Sequence, residues 1–283
     1  MFSFINNQIS YTIEIPAYPV NLFVDHYVYM EGESLTYGER LFPNNKAEMF
    51  FNLGGKVDGK SELCPAPALV STMVSGVRHS WFDFFPPVDF CMIGLRFTLF
   101  GFHQLFKIPA AHFTDNNFPA EDVWGKEMRE LHERLQEKSN CDEMFALLND
   151  WIVARLTGSS LSEMIVWHKM EKMLSSPGVS VSELLRSHMG YSHKHSIQLI
   201  RGQSGLGPKD IQKIIRFDSA LKSISQRPVR NWSAFACAAG YADQSHFIRD
   251  FKVFTGYTPA EYLNRKPHEY HFHEMMPDQA MHR

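Results

Sequence analysis

Cysteine is scarce in this 283-residue chain, and Cys64, Cys91, Cys141 and Cys237 lie far apart with no CxxC pair among them. Neither a metal knuckle nor a disulfide framework is implied, and a reducing cytoplasm is the simplest setting. No apolar run reaches the roughly 18 residues that a membrane-spanning helix needs. The opening stretch, MFSFINNQIS, has neither the basic start nor the long apolar core of a secretory signal. Catalytic signatures are missing as well: there is no GxSxG elbow, no P-loop and no GxGxxG. A metal-dependent β-barrel needs closely spaced histidines. His26, His79, His103 and His112 are scattered, and residues 1–160 contain no HxH or HxxxH. Catalysis is not expected, and no cofactor is.

What is present is apolar bulk and a divided charge. Hydrophobic residues make up 44% and aromatics 13% of the chain, enough for real cores, and the length fits two domains. The formal net charge of −3 conceals an asymmetry. Residues 1–170 hold 13 Lys and Arg against 21 Asp and Glu, whereas residues 171–266 hold 14 against 7. A basic segment joined to an acidic one suggests that one part meets a polyanion and the other does not.

From Tyr18 to about Phe106 the chain runs in short apolar and aromatic stretches punctuated by Gly, Pro and Asn, which predicts a compact β-rich domain. Beyond Ala120, stretches such as EDVWGKEMRELHERLQ space apolar residues three and four apart, as amphipathic helices do. Thr157–Ser160 (TGSS) reads as a break between domains, and a helix over about Leu161–Leu174 stops at Pro177 and Gly178. The expected fold class is α+β. A β-rich, barrel- or cupin-like domain with flanking helices spans 1–157, an all-α domain spans 161–266, and a tail spans 267–283.

A repeat is the most informative feature. Gly190-Tyr191-Ser192 is followed by Gly205 and Pro208, and Gly240-Tyr241-Ala242-Asp243 is followed by Gly256 and Pro259. The two patterns lie 50–51 residues apart, and a short helical stretch precedes each first glycine. Helix, glycine turn, second helix is the helix-turn-helix arrangement, here in two copies joined by a helix that buries Ile211, Ile214, Ile215, Phe217 and Leu221. In the second unit Gly240 supplies the permissive turn and Asp243 the N-cap. Phe247, Phe251 and Phe254 form the buried face, and Ser245, Arg249 and Lys252 lie opposite with Gln244 beside them. Arg can fork onto guanine, Gln can pair with adenine, and Lys neutralises phosphate. The first unit repeats the plan: Ser192 caps, Ile197 and Ile200 face inward, and Lys194, Gln198 and Arg201 face outward. One such helix alone is also what a solvated amphipathic helix looks like; two behind glycine turns in a basic segment favour DNA.

These residues also carry a resemblance. Residues from about Val179 to Leu263 resemble the DNA-binding domain of AraC/XylS-type transcriptional regulators, and AFACAAGYADQSHFIRDFKVFTGYTPAEY is very similar to that family's signature. The resemblance implies seven helices, with two helix-turn-helix units reaching successive major grooves. It implies DNA-facing positions at Gln244, Ser245, His246, Arg249 and Lys252, and at Lys194, Gln198 and Arg201 with His193 and His195 nearby. Double-stranded DNA is the implied partner. A small-molecule effector, RNA polymerase and a second copy of the chain are further candidates, and no membrane is. The first unit departs from the family: Ser196 stands where a buried Leu is usual, Gln198 where Arg is common, and Gly202 sits inside the helix at about 1 kcal/mol relative to Ala. That helix is therefore expected to be marginal until DNA orders it. A rival reading follows, in which the helical domain has lost specific DNA binding and the chain is a small-molecule- or protein-interaction module.

Leu41–Gly55 (LFPNNKAEMFFNLGG) and Met92–Gly125 resemble the uncharacterised β-rich domain found ahead of some AraC-type domains, which implies a sensor or dimerisation role without naming a ligand. Arg96, in the otherwise apolar GLRF stretch, can meet an anionic ligand or a structural carboxylate. The clusters Trp81-Phe82 and Phe84-Phe85 can line a pocket or fill a core or interface. His268, His271, His273 and His282 belong either to a frayed tail or to a weak metal tract. The acidic half is repelled by DNA, so it is expected to lie away from the duplex or to compete weakly for the basic domain.

Overall fold

The computed structural model describes residues 1–6, 9–32, 39–54, 71–84, 90–156, 161–174, 192–226 and 228–264. The TGSS break, the helix expected over residues 181–189 and the histidine tail lie outside the described residues. Nine strands form in the first half, among the described residues: β1 (Phe2–Asn6), β2 (Ile9–Glu14), β3 (Val24–Gly32), β4 (Glu39–Leu41), β5 (Glu48–Asn52), β6 (Thr72–Ser75), β7 (Phe82–Phe84), β8 (Phe90–Phe97) and β9 (Asn117–Pro119). Seven make one antiparallel sheet in the order β1-β2-β3-β8-β5-β6-β9, and β4 pairs with β7 as a separate ribbon. The barrel- or cupin-like expectation takes this form; β1 and β9 are the sheet's two edges.

Local sequence explains the layering. In β2, Ile9, Tyr11 and Ile13 are buried while Ser10, Thr12 and Glu14 are less so, the period-two alternation of a strand with one covered face. Strand β8 lies between β3 and β5, and from Met92 to Phe97 it is buried on both faces, which is why its sequence reads as a near-continuous apolar run. Helices α1 (Gly101–Phe106), α2 (Ala120–Trp124), α3 (Lys126–Gln136) and α4 (Cys141–Leu156) follow. Phe106 of α1 meets Trp124 at 4.8 Å and Trp151 of α4 at 5.8 Å between ring centroids. Helix α5 (Leu161–Leu174) turns Met164, Trp167, Met170 and Leu174 inward, with Trp167 4.7 Å from the Phe100 ring.

The one charge in the GLRF strand finds a structural partner. Arg96 stands opposite Glu48 in the β5–β8 register and its Nε donates to Glu48 Oε1 at 2.6 Å, with the arginine 8% exposed. Next to it, Lys46 Nζ reaches Asp25 Oδ1 at 3.1 Å and Glu171 Oε1 of α5 at 3.2 Å. Glu171 also accepts from the Leu99 backbone at 3.2 Å. A buried ion pair is costly to break because the remaining charge stays desolvated. Burial alone pushes the Asp25 carboxyl up, but Lys46 and the His26 hydrogen bond outweigh it and hold it well below the usual carboxylate range. Burial holds the His26 imidazole below its ordinary value despite Asp25 Oδ2 at 2.9 Å from Nδ1. Burial lowers His168 as well.

The helical half is α6 (His193–Ser204), α7 (Pro208–Gln226), α8 (Trp232–Ala238), α9 (Gln244–Thr255) and α10 (Pro259–Leu263). It does not stand apart. One apolar cluster runs through both halves. Phe42, between β4 and β5, lies 6.1 Å from Phe217 of α7 and 6.1 Å from Tyr262 of α10. Asn45 Nδ2 donates to the Ile211 carbonyl at 3.1 Å, and Gln104 Nε2 of α1 donates to Gln203 Oε1 of α6 at 2.8 Å.

Two tests follow. Lys46→Met strands Asp25 and Glu171 without their shared cation, and chemical denaturation should show a loss of about 3–5 kcal/mol. For pH, His26 and His168 have values depressed on folding, so their contribution is intact above the unfolded value and is lost as pH falls. Stability should therefore decline below about pH 6.5, with a second loss from Asp25 below about pH 4. The first decline should shrink in His26→Gln.

Candidate nucleic-acid interface

Both second helices form where the repeat places them. In the second unit Asn231 caps α8 by accepting from Ala234 N at 3.0 Å, and Gly240 turns the chain at φ 81°. Asp243 then caps α9 by accepting from His246 N at 2.8 Å. Phe247, Phe251 and Phe254 are buried, and Phe251 lies 5.6 Å from Phe217 of the connecting helix. The opposite side holds Ser245, Arg249 and Lys252, all exposed, with Gln244 and His246 half-buried in the first turn.

In the first unit Ser192 accepts from His195 N at 3.4 Å, and α6 runs unbroken through Gly202 to Ser204. His193, Lys194, His195, Gln198 and Arg201 are all exposed. On the other side of α6, Ile200 and Gln203 are buried against neighbours that include α1 of the first half. Ser196 occupies a fully buried position as its place in the pattern required, and its hydroxyl has no hydrogen-bond partner among the described residues.

Between the units α7 buries Ile211, Ile214, Phe217 and Leu221, with Ile215 half-buried. Arg216 on the same helix braces the second unit. Its guanidinium donates to the Gly240 carbonyl at 3.4 Å, lies 4.4 Å from the Tyr241 ring centre and 3.5 Å from Asp250 Oδ2. His246 Nε2 lies 3.5 Å from the same carboxylate oxygen. The glycine turn and the recognition helix are therefore tied to the linker helix by one side chain. Sequence reasoning missed this brace because Arg216 reads only as another cation in a basic segment.

A second device repeats across the units. Ser204 Oγ donates to the Ile200 carbonyl at 2.8 Å and accepts from Leu206 N at 3.2 Å; Thr255 Oγ1 donates to the Phe251 carbonyl at 2.8 Å and accepts from Tyr257 N at 3.0 Å. Each hydroxyl seals the carboxyl end of its recognition helix, just before the left-handed Gly205 or Gly256. The signal was in the sequence: Ser204 and Thr255 stand one residue before the glycines of the repeat.

Two family models match the chain. Residues 14–119 match a domain of unknown function (DUF6597), and residues 185–265 match a helix-turn-helix domain. Residues 185–265 thus carry a helix-turn-helix domain of AraC type, which supports a DNA-binding transcriptional regulator. No curated protein matches. Among solved structures the chain is similar to ToxT of Vibrio cholerae. An apo variant from strain SCE256 is 12% identical, with 84% of this chain and 96% of that chain covered at a TM-score of 0.41. A 1.65 Å structure of ToxT is 10% identical, covering 90% and 98% at 0.41. Wild-type ToxT bound to an unsaturated fatty acid is 11% identical, covering 91% and 95% at 0.38. Among the described residues, no helix of the chain is long and apolar enough to cross a membrane.

Local chemistry of the AraC-type domain can be tested by stability. Asp243→Ala removes an N-cap and should cost about 1 kcal/mol. Ser196→Ala removes a buried hydroxyl that has no partner among the described residues and should stabilise the fold by about 1 kcal/mol. Thermal melts of the two variants should move in opposite directions.

Proposed function

We propose that the chain is a sequence-specific bacterial regulator that reads duplex DNA through the outward faces of α6 and α9 together, under control from its first half. The observation that carries this reading is the pairing of two equivalent polar faces, each with exposed cations, on recognition helices whose opposite faces are buried. Arg249 and Arg201 are the fork donors suited to guanine, Gln198 and Gln244 suit adenine, and Lys194, Lys252 and the neighbouring histidines face phosphate. Polar side chains at the start of a recognition helix are the ones that reach base edges in helix-turn-helix complexes. Ser245 and His246 occupy that turn in α9. The first half, with its separate sheet and its match to a domain of its own, supplies the surface on which a small molecule, RNA polymerase or a second copy of the chain acts.

The experiment is a sequencing-based selection of genomic fragments on the intact protein beside Arg249→Ala. A recurrent motif of two elements is expected, with the element read by α9 lost in the variant and binding weakened by about 1–3 kcal/mol. Capture of fragments without any enriched motif, equally in both proteins, is the outcome that sinks specific reading, since non-specific binding is electrostatic and indifferent to sequence.

A further inference from the structure

The same turn of both recognition helices is gripped by the first half of the chain. At the end of α6, the Gly205 carbonyl accepts a hydrogen bond from Thr114 Oγ1 at 3.0 Å. A Cβ at Gly205 would come within 2.7 Å of both Thr114 Oγ1 and Val77 Cγ2. At the end of α9, the Thr255 carbonyl accepts from Arg40 Nη1 at 3.3 Å. A Cβ at Gly256 would meet Arg40 Nη1 at 2.6 Å and Trp81 Nε1 at 2.8 Å. Two glycines that stand 51 residues apart in the repeat thus admit two different parts of one sheet domain.

Both grips are themselves held. Arg40 forks onto Asp83 at 2.7 and 2.9 Å, its guanidinium lies 3.4 Å from the Trp81 ring centre and 4.7 Å from that of Tyr257. A cation at the carboxyl end of a helix also meets the favourable end of the helix dipole. On the other side, Gln104 fixes Gln203 two residues before Gly205. The contacts take the carboxyl ends of the helices and leave their polar faces exposed, so the grip does not compete with DNA for the same side chains.

We propose that Arg40 and Thr114 are positioning residues that set the separation and relative orientation of α6 and α9, and thereby the half-site spacing the protein accepts. The first half acts as a two-point clamp. The consequence for spacing rests on the reading of α6 and α9 as DNA-reading helices; the clamp itself does not.

The clamp is tested without DNA by measuring the distance distribution between nitroxide labels at Gln198→Cys and Lys252→Cys, in a chain whose native cysteines are replaced by serine. The unmodified interface should give one narrow distribution, Arg40→Ala and Thr114→Val combined should broaden it, and Thr114→Ser should keep it narrow. Each single variant should broaden it partly, which covers the case of a double variant that fails to fold. A distribution that stays narrow in all variants, or is broad before any substitution, overturns the clamp. With DNA, a library of the two selected elements at varied separation should show the intact protein preferring one spacing by about tenfold, a preference flattened in the double variant. The salt slope should stay unchanged, since no groove-facing cation is removed. An unaltered spacing preference in the variant contradicts the specificity role. If the intact protein enriches no motif at all, the DNA reading falls while the label distances still decide the clamp.

Discussion

The helical half is held by an aromatic group that the first half helps to cover. Phe217, Phe251, Phe254 and Tyr262 form one aromatic group around α7, and Phe42 from the first half closes it. A buried aromatic of this size contributes about 2–3 kcal/mol by its removal from water. The Asn45 amide satisfies the Ile211 carbonyl at the same seam, where an unpaired group would cost. Two sequence domains therefore share a core: the first half touches the carboxyl ends of both recognition helices, while the inner side of α9 packs on α7, α8 and α10.

Electrostatics works with this packing. The acidic first half and the basic second half attract each other at long range, and the buried pairs Lys46–Glu171 and Lys46–Asp25 hold α5 to the sheet at short range. The acidic half was expected to lie away from the duplex or to compete for the basic face. In the docked arrangement it contacts the carboxyl ends of α6 and α9, while Lys194, Gln198, Arg201, Arg249 and Lys252 remain exposed. Cutting the chain before the helical half uncovers Phe217 and Tyr262, so a fragment reports on lost packing as well as on lost charge.

The second helix-turn-helix unit was almost wholly legible in the sequence, because its glycine turn, its Asp243 cap and its three phenylalanines are local features with fixed spacing. The first was legible in outline only. Ser196 and Gly202 argue locally for a weak helix, and its contact with Gln104 comes from about a hundred positions earlier, which no window along the chain contains. Arg96 shows the same limit: its register partner Glu48 is visible only once β5 and β8 pair. For the aromatic run at Trp81, which could line a pocket or fill a core or interface, the contacts of Trp81 come from Arg40 and Gly256, in both halves of the chain. Strand order and seams between halves are long-range facts, and sequence periodicity carries little of them.

The most direct measurement is hydroxyl-radical footprinting of the intact protein on the duplex returned by selection. Two simultaneously engaged recognition helices predict two protected patches on one face of the DNA, about one helical turn or 10 base pairs apart. A single patch under the α9 element, with the α6 element as exposed to cleavage as in free DNA, would contradict the account.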